Sequence, residues 1–368
     1  MEKGFRRGIC LLLVFILALG LVACGGGGGS NGSGGADASG EVGMAGPRVV
    51  TSINTMHTMI IQTDGTLWAV GGNQSGQLGD GTRENRQEPV QLGTATWIDV
   101  AVGGIHTVAI RSDGSLWTWG GNLSGQLGDG SGEEVRLTPT QIGTDTDWAN
   151  VGAGGVWSAA IRTDGSLWTW GWVGAHGPER DLSRHDASST PVRIGADTDW
   201  ASVADVDRFW PIALKTDGSL WHLASAPVRI GTDRDWASIP WLSGLRADGS
   251  LWRRMLQYSE WGLEEFAQVG TDTNWASVCG NIAIKADGSL WHVFLSPDGG
   301  VSSIQIGTDR TWISASGSGA RFIALNADGE LWQGVVDWER DAAGLPTSDR
   351  PSSVRMTNLM TGEYWVQS

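Results

Sequence analysis

The chain has 368 residues, with 56 Gly, 22 Trp and a formal net charge of −15. A surplus of Gly and Trp without helical heptads points to many short strands joined by tight turns, with one large aromatic side chain per structural unit. So acidic a chain lacks the clustered Lys and Arg that grip a phosphate backbone, which argues against nucleic-acid binding.

Residues 1–23 read as a targeting segment. Lys3, Arg6 and Arg7 precede an apolar run from Ile9 to Ala23. The run is short for a membrane span and right for the core of a signal peptide. It ends in Leu21-Val22-Ala23-Cys24, which resembles the bacterial lipobox. That resemblance implies export, removal of residues 1–23 and a diacylglycerol thioether on Cys24. Gly25 beside the Cys favours the outer membrane, or the cell surface, in a host that has one. Residues 24–46 follow as a tether, with 11 Gly between positions 25 and 46. A Gly-rich chain of that length spans roughly 25 Å r.m.s.. The expected location is therefore the cell envelope, with the membrane touched only through the lipid. Cys279 is the only cysteine after Cys24, so the following domain is expected to rely on packing.

Residues 47–368 form one repeat array. D-G-x-L-W occurs seven times: Asp64-Gly65 with Trp68, Asp113-Gly114 with Trp117, Asp164-Gly165 with Trp168, Asp217-Gly218 with Trp221, Asp248-Gly249 with Trp252, Asp287-Gly288 with Trp291, and Asp328-Gly329 with Trp332. A second mark, such as Q-I-G-T-D-T-D-W, ends at Trp97, Trp148, Trp200, Trp236, Trp275 and Trp312, and a worn copy ends at Trp365. This periodicity predicts an all-β, seven-bladed β-propeller of four-stranded antiparallel blades. Residues 148–171 show one unit. W-A-N-V and S-A-A-I-R are strands, Asp164-Gly165 is a two-residue hairpin turn, and S-L-W-T-W is the third strand. Pro191 opens the fourth, where a missing N–H matters least. Leu167 and Trp168 point to opposite faces, so both faces are expected to be buried between neighbouring blades. Residues 49–53 are expected to open blade one. The stub 365–368 is expected to pair beside them as a closing strap.

V-G-G-N-Q-S-G-Q-L-G-D-G-T (70–82) and W-G-G-N-L-S-G-Q-L-G-D-G-S (119–131) resemble the regulator of chromosome condensation repeat family, as does V-A-V-G-G-I-H-T-V-A-I-R-S-D-G-S-L-W-T-W-G (100–120). The long motif is intact in blades one and two only. The resemblance implies a seven-bladed propeller over about residues 47–368. The family's founder exchanges nucleotide on a nuclear GTPase, an activity that does not fit an exported, acidic chain. A secreted inhibitor of β-lactamases has the same class of fold and a nearer compartment.

No catalytic signature is present, so the chain is not expected to be an enzyme, and no cofactor or metal is expected. Asp80, Asp129, Asp145 and Asp147 are of a type that binds Ca²⁺, but no calcium-loop spacing joins them and a turn role is expected. His176 and His185 flank Glu179 and Asp181 in a segment read as a solvated loop. Aligned on the D-G step, the turn before the second strand holds His57, His106, Trp157, Trp210, Trp241, Gly280 and Arg321. With the first strand lining the channel, these residues ring its mouth. The His-Thr pairs suit a structural hydrogen bond. The Trp residues suit either packing against neighbouring turns or a recognition face. The expected function is a binding module for an unidentified protein partner. A glycan- or polymer-binding surface protein, or an inhibitor of an envelope or secreted enzyme, is the alternative.

Overall fold

The computed structural model describes residues 47–52, 57–172, 187–205, 211–223, 227–238, 243–255, 265–295, 300–318, 320–338 and 352–367. They form a ring of seven antiparallel blades built on four strands each, the propeller expected from the repeats. In blade three the strands are Trp148–Ala153, Trp157–Arg162, Leu167–Trp172 and Ala187–Arg193, each paired with the next. Blades one and two share one unbroken strand, Arg86–Val102. Its first part closes blade one and its second part opens blade two. The signal segment, Cys24 and the tether lie outside the described residues.

Each D-G turn is one residue longer than the expected two-residue hairpin. In blade three Gly165 N–H donates to Arg162 O (2.9 Å) and Arg162 N–H donates to Ser166 O (3.0 Å). The loop is therefore Thr163-Asp164-Gly165, a type I turn closed by a glycine at positive φ, here 76°. Glycine is required twice over. A Cβ on Gly165 would lie 2.1 Å from Thr198 O, in the link that leads into blade four.

Packing follows the seams. Seven apolar clusters each join one blade to the next, and the seventh joins blade seven to blade one through Val49, Ile60, Val70, Leu325 and Leu331. The strand-opening residues Trp97, Trp148, Trp200, Trp236, Trp275 and Trp312 are all buried. Each contributes at most about 4–6 kcal/mol by area. The third strand departs from the expectation of two buried faces. Leu167 is fully buried, but Trp168 is half-buried, packed at the margin of the cluster between blades two and three with its indole edge-on to Trp148 (ring centroids 6.1 Å apart, 78°).

The inner strands are stitched to one another. In blades two to seven the strand bulges just after its opening Trp, as where Trp97 faces Arg111 but Asp99 faces Ile110. A bulge re-aims the side chain that follows it. Asp99 Oδ2 thus accepts from Val151 N–H (3.0 Å) and Asn150 Nδ2 (2.9 Å) of blade three. Asn150 Oδ1 accepts from Val203 N–H (3.1 Å) of blade four. Arg48 of blade one is ion-paired with Asp99 of blade two.

The ring closes differently from the expected strap. The opening strand of blade one is Arg48–Thr51. Val49 N–H donates to Ser314 Oγ (2.9 Å) and Thr51 N–H to Ser316 Oγ (3.0 Å), both in blade seven. Those donors are therefore unavailable to a strap. The terminal strand Tyr364–Gln367 pairs instead with Ser353–Asn358, as a fifth strand outside blade seven. Trp365 is accordingly not a strand-opening residue. It packs half-buried against the cluster between blades six and seven.

Candidate functional site

The turns before the second strands and the loops after the third strands share one face. Here the first three ring residues are not an exposed patch: His57, His106 and Trp157 are all fully buried. Their neighbours explain why. Gly103 and Gly154 leave room for the rings, since a Cβ on either would lie 2.1 Å from His106 Cε1 or Trp157 Nε1 respectively. His106 Nε2 meets Ser158 Oγ of blade three at 2.9 Å. Ser158 Oγ donates in turn to Gln126 O (2.7 Å). The serine's proton is thus committed, so the imidazole Nε2–H is the donor. One blade earlier the same motif recurs: Thr107 Oγ1 donates to Gln77 O (2.8 Å) and lies 3.4 Å from His57 Nε2. Burial holds His57 down to a pKa of about 3, helped by the nearby His106, and burial holds His106 down to about 4. Both rings are neutral internal ties. Arg321 is exposed at the start of blade seven's second strand, and Gly280 bridges to Gly317 of blade seven. Trp210 and Trp241 lie outside the described residues.

The G-N-x-x-G-Q-L-G loops serve the same seams. Asn73 Oδ1 accepts from Leu78 N–H (3.0 Å), curling the loop of blade one over blade two. Trp119 Nε1 of blade two then donates to Gln77 O (2.9 Å). Trp170 Nε1 of blade three donates to Gln126 O (2.9 Å) likewise. Asp80 accepts from Arg86 Nε (2.6 Å) and Thr82 N–H (3.0 Å), and Asp129 from Arg136 Nε (3.0 Å) and Ser131 N–H (3.0 Å). These carboxylates shape loops, and no group of three or more potential metal ligands occurs among the described residues. The stitch stops at blade four, where Pro211 and Leu223 occupy the places of Ser158 and Trp170. The segment of His176, Glu179, Asp181 and His185 lies outside the described residues.

The opposite face carries the D-G turns and the G-T-D-x-D-W links. Sequence reasoning missed its main device, a cation two residues before the Asp of D-G: Arg111, Arg162, Lys215, Arg246 and Lys285. Each cation lies over two Trp rings. Arg162 Cζ is 4.5 Å from the Trp148 centroid and 4.6 Å from that of Trp168. Arg246 Cζ is 5.0 Å from Trp236 and 4.0 Å from Trp252. The link carboxylates hold the cation from outside: Asp145 and Asp147 pair with Arg162, Asp197 and Asp199 with Lys215, and Asp233 and Asp235 with Arg246. Asp145 and Asp147 are thus ion-pair partners. The signal was available, because the cation recurs at a constant offset from a motif already recognised.

The family described as regulator of chromosome condensation (RCC1) repeat matches residues 64–110 and 113–161, and a second repeat family of that description matches residues 97–126. No curated protein matches the chain. Among solved structures, Prp20p of Saccharomyces cerevisiae superposes with a TM-score of 0.59 at 17% identity, covering 82% of this chain and 85% of that one. Yeast RCC1 (Prp20) bound to Kap60 gives 0.58 at 15%, covering 73% and 78%. Human WBSCR16 gives 0.56 at 16%, covering 74% and 89%. At these identities the likeness is one of fold.

Proposed function

We propose that this chain, which carries regulator of chromosome condensation repeats in its first blades, is a non-enzymatic binding module. Export and a lipid on Cys24 hold it at the cell envelope, and a protein partner docks on the face of the third-to-fourth-strand loops. The observation that supports this reading is a contrast between the faces. The D-G face repeats one set of internal bonds from blade to blade. On the other face the family loop is kept in blades one and two and replaced by unlike sequences afterwards, from 173–186 in blade three to 339–351 in blade seven. Variable loops on a uniform scaffold are where recognition is usually placed. The solved yeast structures concern Kap60 bound to yeast RCC1 (Prp20) and the binding of Prp20p to Gsp1p and histones, which supports protein over other partners as the first choice. Among the ring residues, His57, His106 and Trp157 drop out of the recognition role, and Arg321, Trp210 and Trp241 keep it.

Two measurements test this. Metabolic labelling with palmitate should mark the wild-type chain and not Cys24→Ala, which should also leave the membrane fraction. Crosslinking in intact envelopes should yield one stoichiometric protein adduct with wild type, lost when Trp210, Trp241 and Arg321 are changed together to Ala. A glycan adduct in its place would overturn the protein reading.

A further inference from the structure

Among the described residues four cationic side chains are buried: Arg48, Lys215, Arg253 and Lys285. Three of them face carboxylates, namely Asp99, the pair Asp197 and Asp199, and Asp272. Arg253 faces none. It lies in the third strand of blade five, Leu251–Met255, opposite Ser243 and Ala267. Its Nη1 makes both of its hydrogen bonds, to Asn281 Oδ1 (3.0 Å) and Val293 O (3.3 Å) of blade six. Nε is buried without an acceptor. The unpaired side of the guanidinium is therefore its Nε–Nη2 edge, one of the edges through which Arg holds two oxygens of a carboxylate or phosphate side by side.

Two further observations point the same way. The equivalent positions in the other blades are Ala69, Thr118, Thr169, His222, His292 and Gln333, none of them a permanent cation. The seam around Arg253 is apolar, formed by Leu245, Leu251, Val269, Val278 and Val293. A buried guanidinium with no countercharge is a standing cost to the fold. Burial accordingly lowers its pKa to about 10.

We propose that Arg253 anchors an oxyanion site at the seam between blades five and six, taking the carboxylate or phosphate group of a small molecule on its Nε–Nη2 edge. The anion supplies the countercharge that the chain leaves out, and Asn281 fixes the orientation of the guanidinium from the opposite side.

The test uses the full chain, titrated at neutral pH with sodium phosphate, with sodium glutarate, and with sodium chloride at matched ionic strength. Melting temperature and calorimetric binding are both read. A saturable response to an oxyanion beyond that to chloride is expected. A response to phosphate identifies a phosphoryl ligand, and a response to glutarate alone identifies a carboxylate. Arg253→Gln should abolish the response. Arg253→Lys, which keeps the charge and loses the planar edge, should weaken it roughly tenfold or more. No oxyanion-specific response in wild type overturns the proposal, as does an undiminished response in Arg253→Gln. If Arg253→Gln does not fold, equal affinity in Arg253→Lys overturns it.

Discussion

In D-G-S-L-W each side chain completes a bond on which the next depends. Asp113 Oδ1 accepts from Ser115 N–H (3.0 Å) and Ser115 Oγ (2.5 Å), and Ser115 Oγ accepts from Trp117 Nε1 (2.8 Å). The serine hydroxyl and N–H hold the Asp113 carboxyl below the usual carboxylate range. Ser115→Ala should cost about 1 kcal/mol in denaturant melts, because the indole donor loses its acceptor. Gly114→Ala should cost more, since φ is 79° and the new Cβ would meet Thr146 O at 2.0 Å. The buried histidines set an acid limit. Their folded pKa values, about 3 and about 4, lie below the unfolded value of 6.5. The unfolded chain therefore binds more protons, and stability is lost as pH falls from about 6.5 towards 4. For His106 alone the loss is on the order of 3 kcal/mol, and His106→Gln should flatten that part of the melting-temperature profile. An unchanged profile in the variant would refute the assignment.

At the scale of the element, the cation clamp joins three pieces of sequence: the link, the second strand and the third strand. Arg246→Met keeps the aliphatic contact with Trp236 and Trp252 but leaves Asp233 and Asp235 without their partner. Equilibrium unfolding should register a loss of about 1–2 kcal/mol, smaller at high salt. Much of this was legible. Trp148 and Trp168 belong to marks that recur from blade to blade, and that recurrence revealed the blade. The three-residue turn was not legible, because Thr163-Asp164-Gly165 and a two-residue turn share the same D-G signature and differ in the closing pair, which is Arg162 with Ser166 here and would be Thr163 with Ser166 in the shorter turn. His57, His106 and Trp157 were placed correctly in the chain, but alignment says nothing about depth. Gly103 and Gly154 leave the room into which His106 and Trp157 turn inward.

At the scale of the whole molecule, the seams differ. Between blades two and three, the seam has a loop tie through Gln126 O and a strand tie through Asp99. Arg48→Met would leave the buried Asp99 carboxyl without its cationic partner. It should cost about 3–5 kcal/mol by analogy with other broken buried pairs, measurable by chemical denaturation. Ser314→Ala should cost about 1 kcal/mol by removing the bond its hydroxyl accepts from Val49 N–H across the seam. Removing residues 361–368 should leave the cooperative transition in place, because the fifth strand lies outside blade seven.

Among the described residues no strand passes between the first and last blades, so the chain can be rearranged around its seams. Each blade is a contiguous stretch of polypeptide, and among the described residues blades seven and one meet through side chains and the bonds at Val49 and Thr51. The natural break in the ring is therefore a packed seam that tolerates having no peptide bond across it. A circular permutant that joins residue 360 to residue 47 through a short linker and opens the chain between blades four and five, at 232–235, should assemble the same ring. Whole blades can then be exchanged as units of sequence, provided the Arg86–Val102 strand that spans blades one and two travels intact.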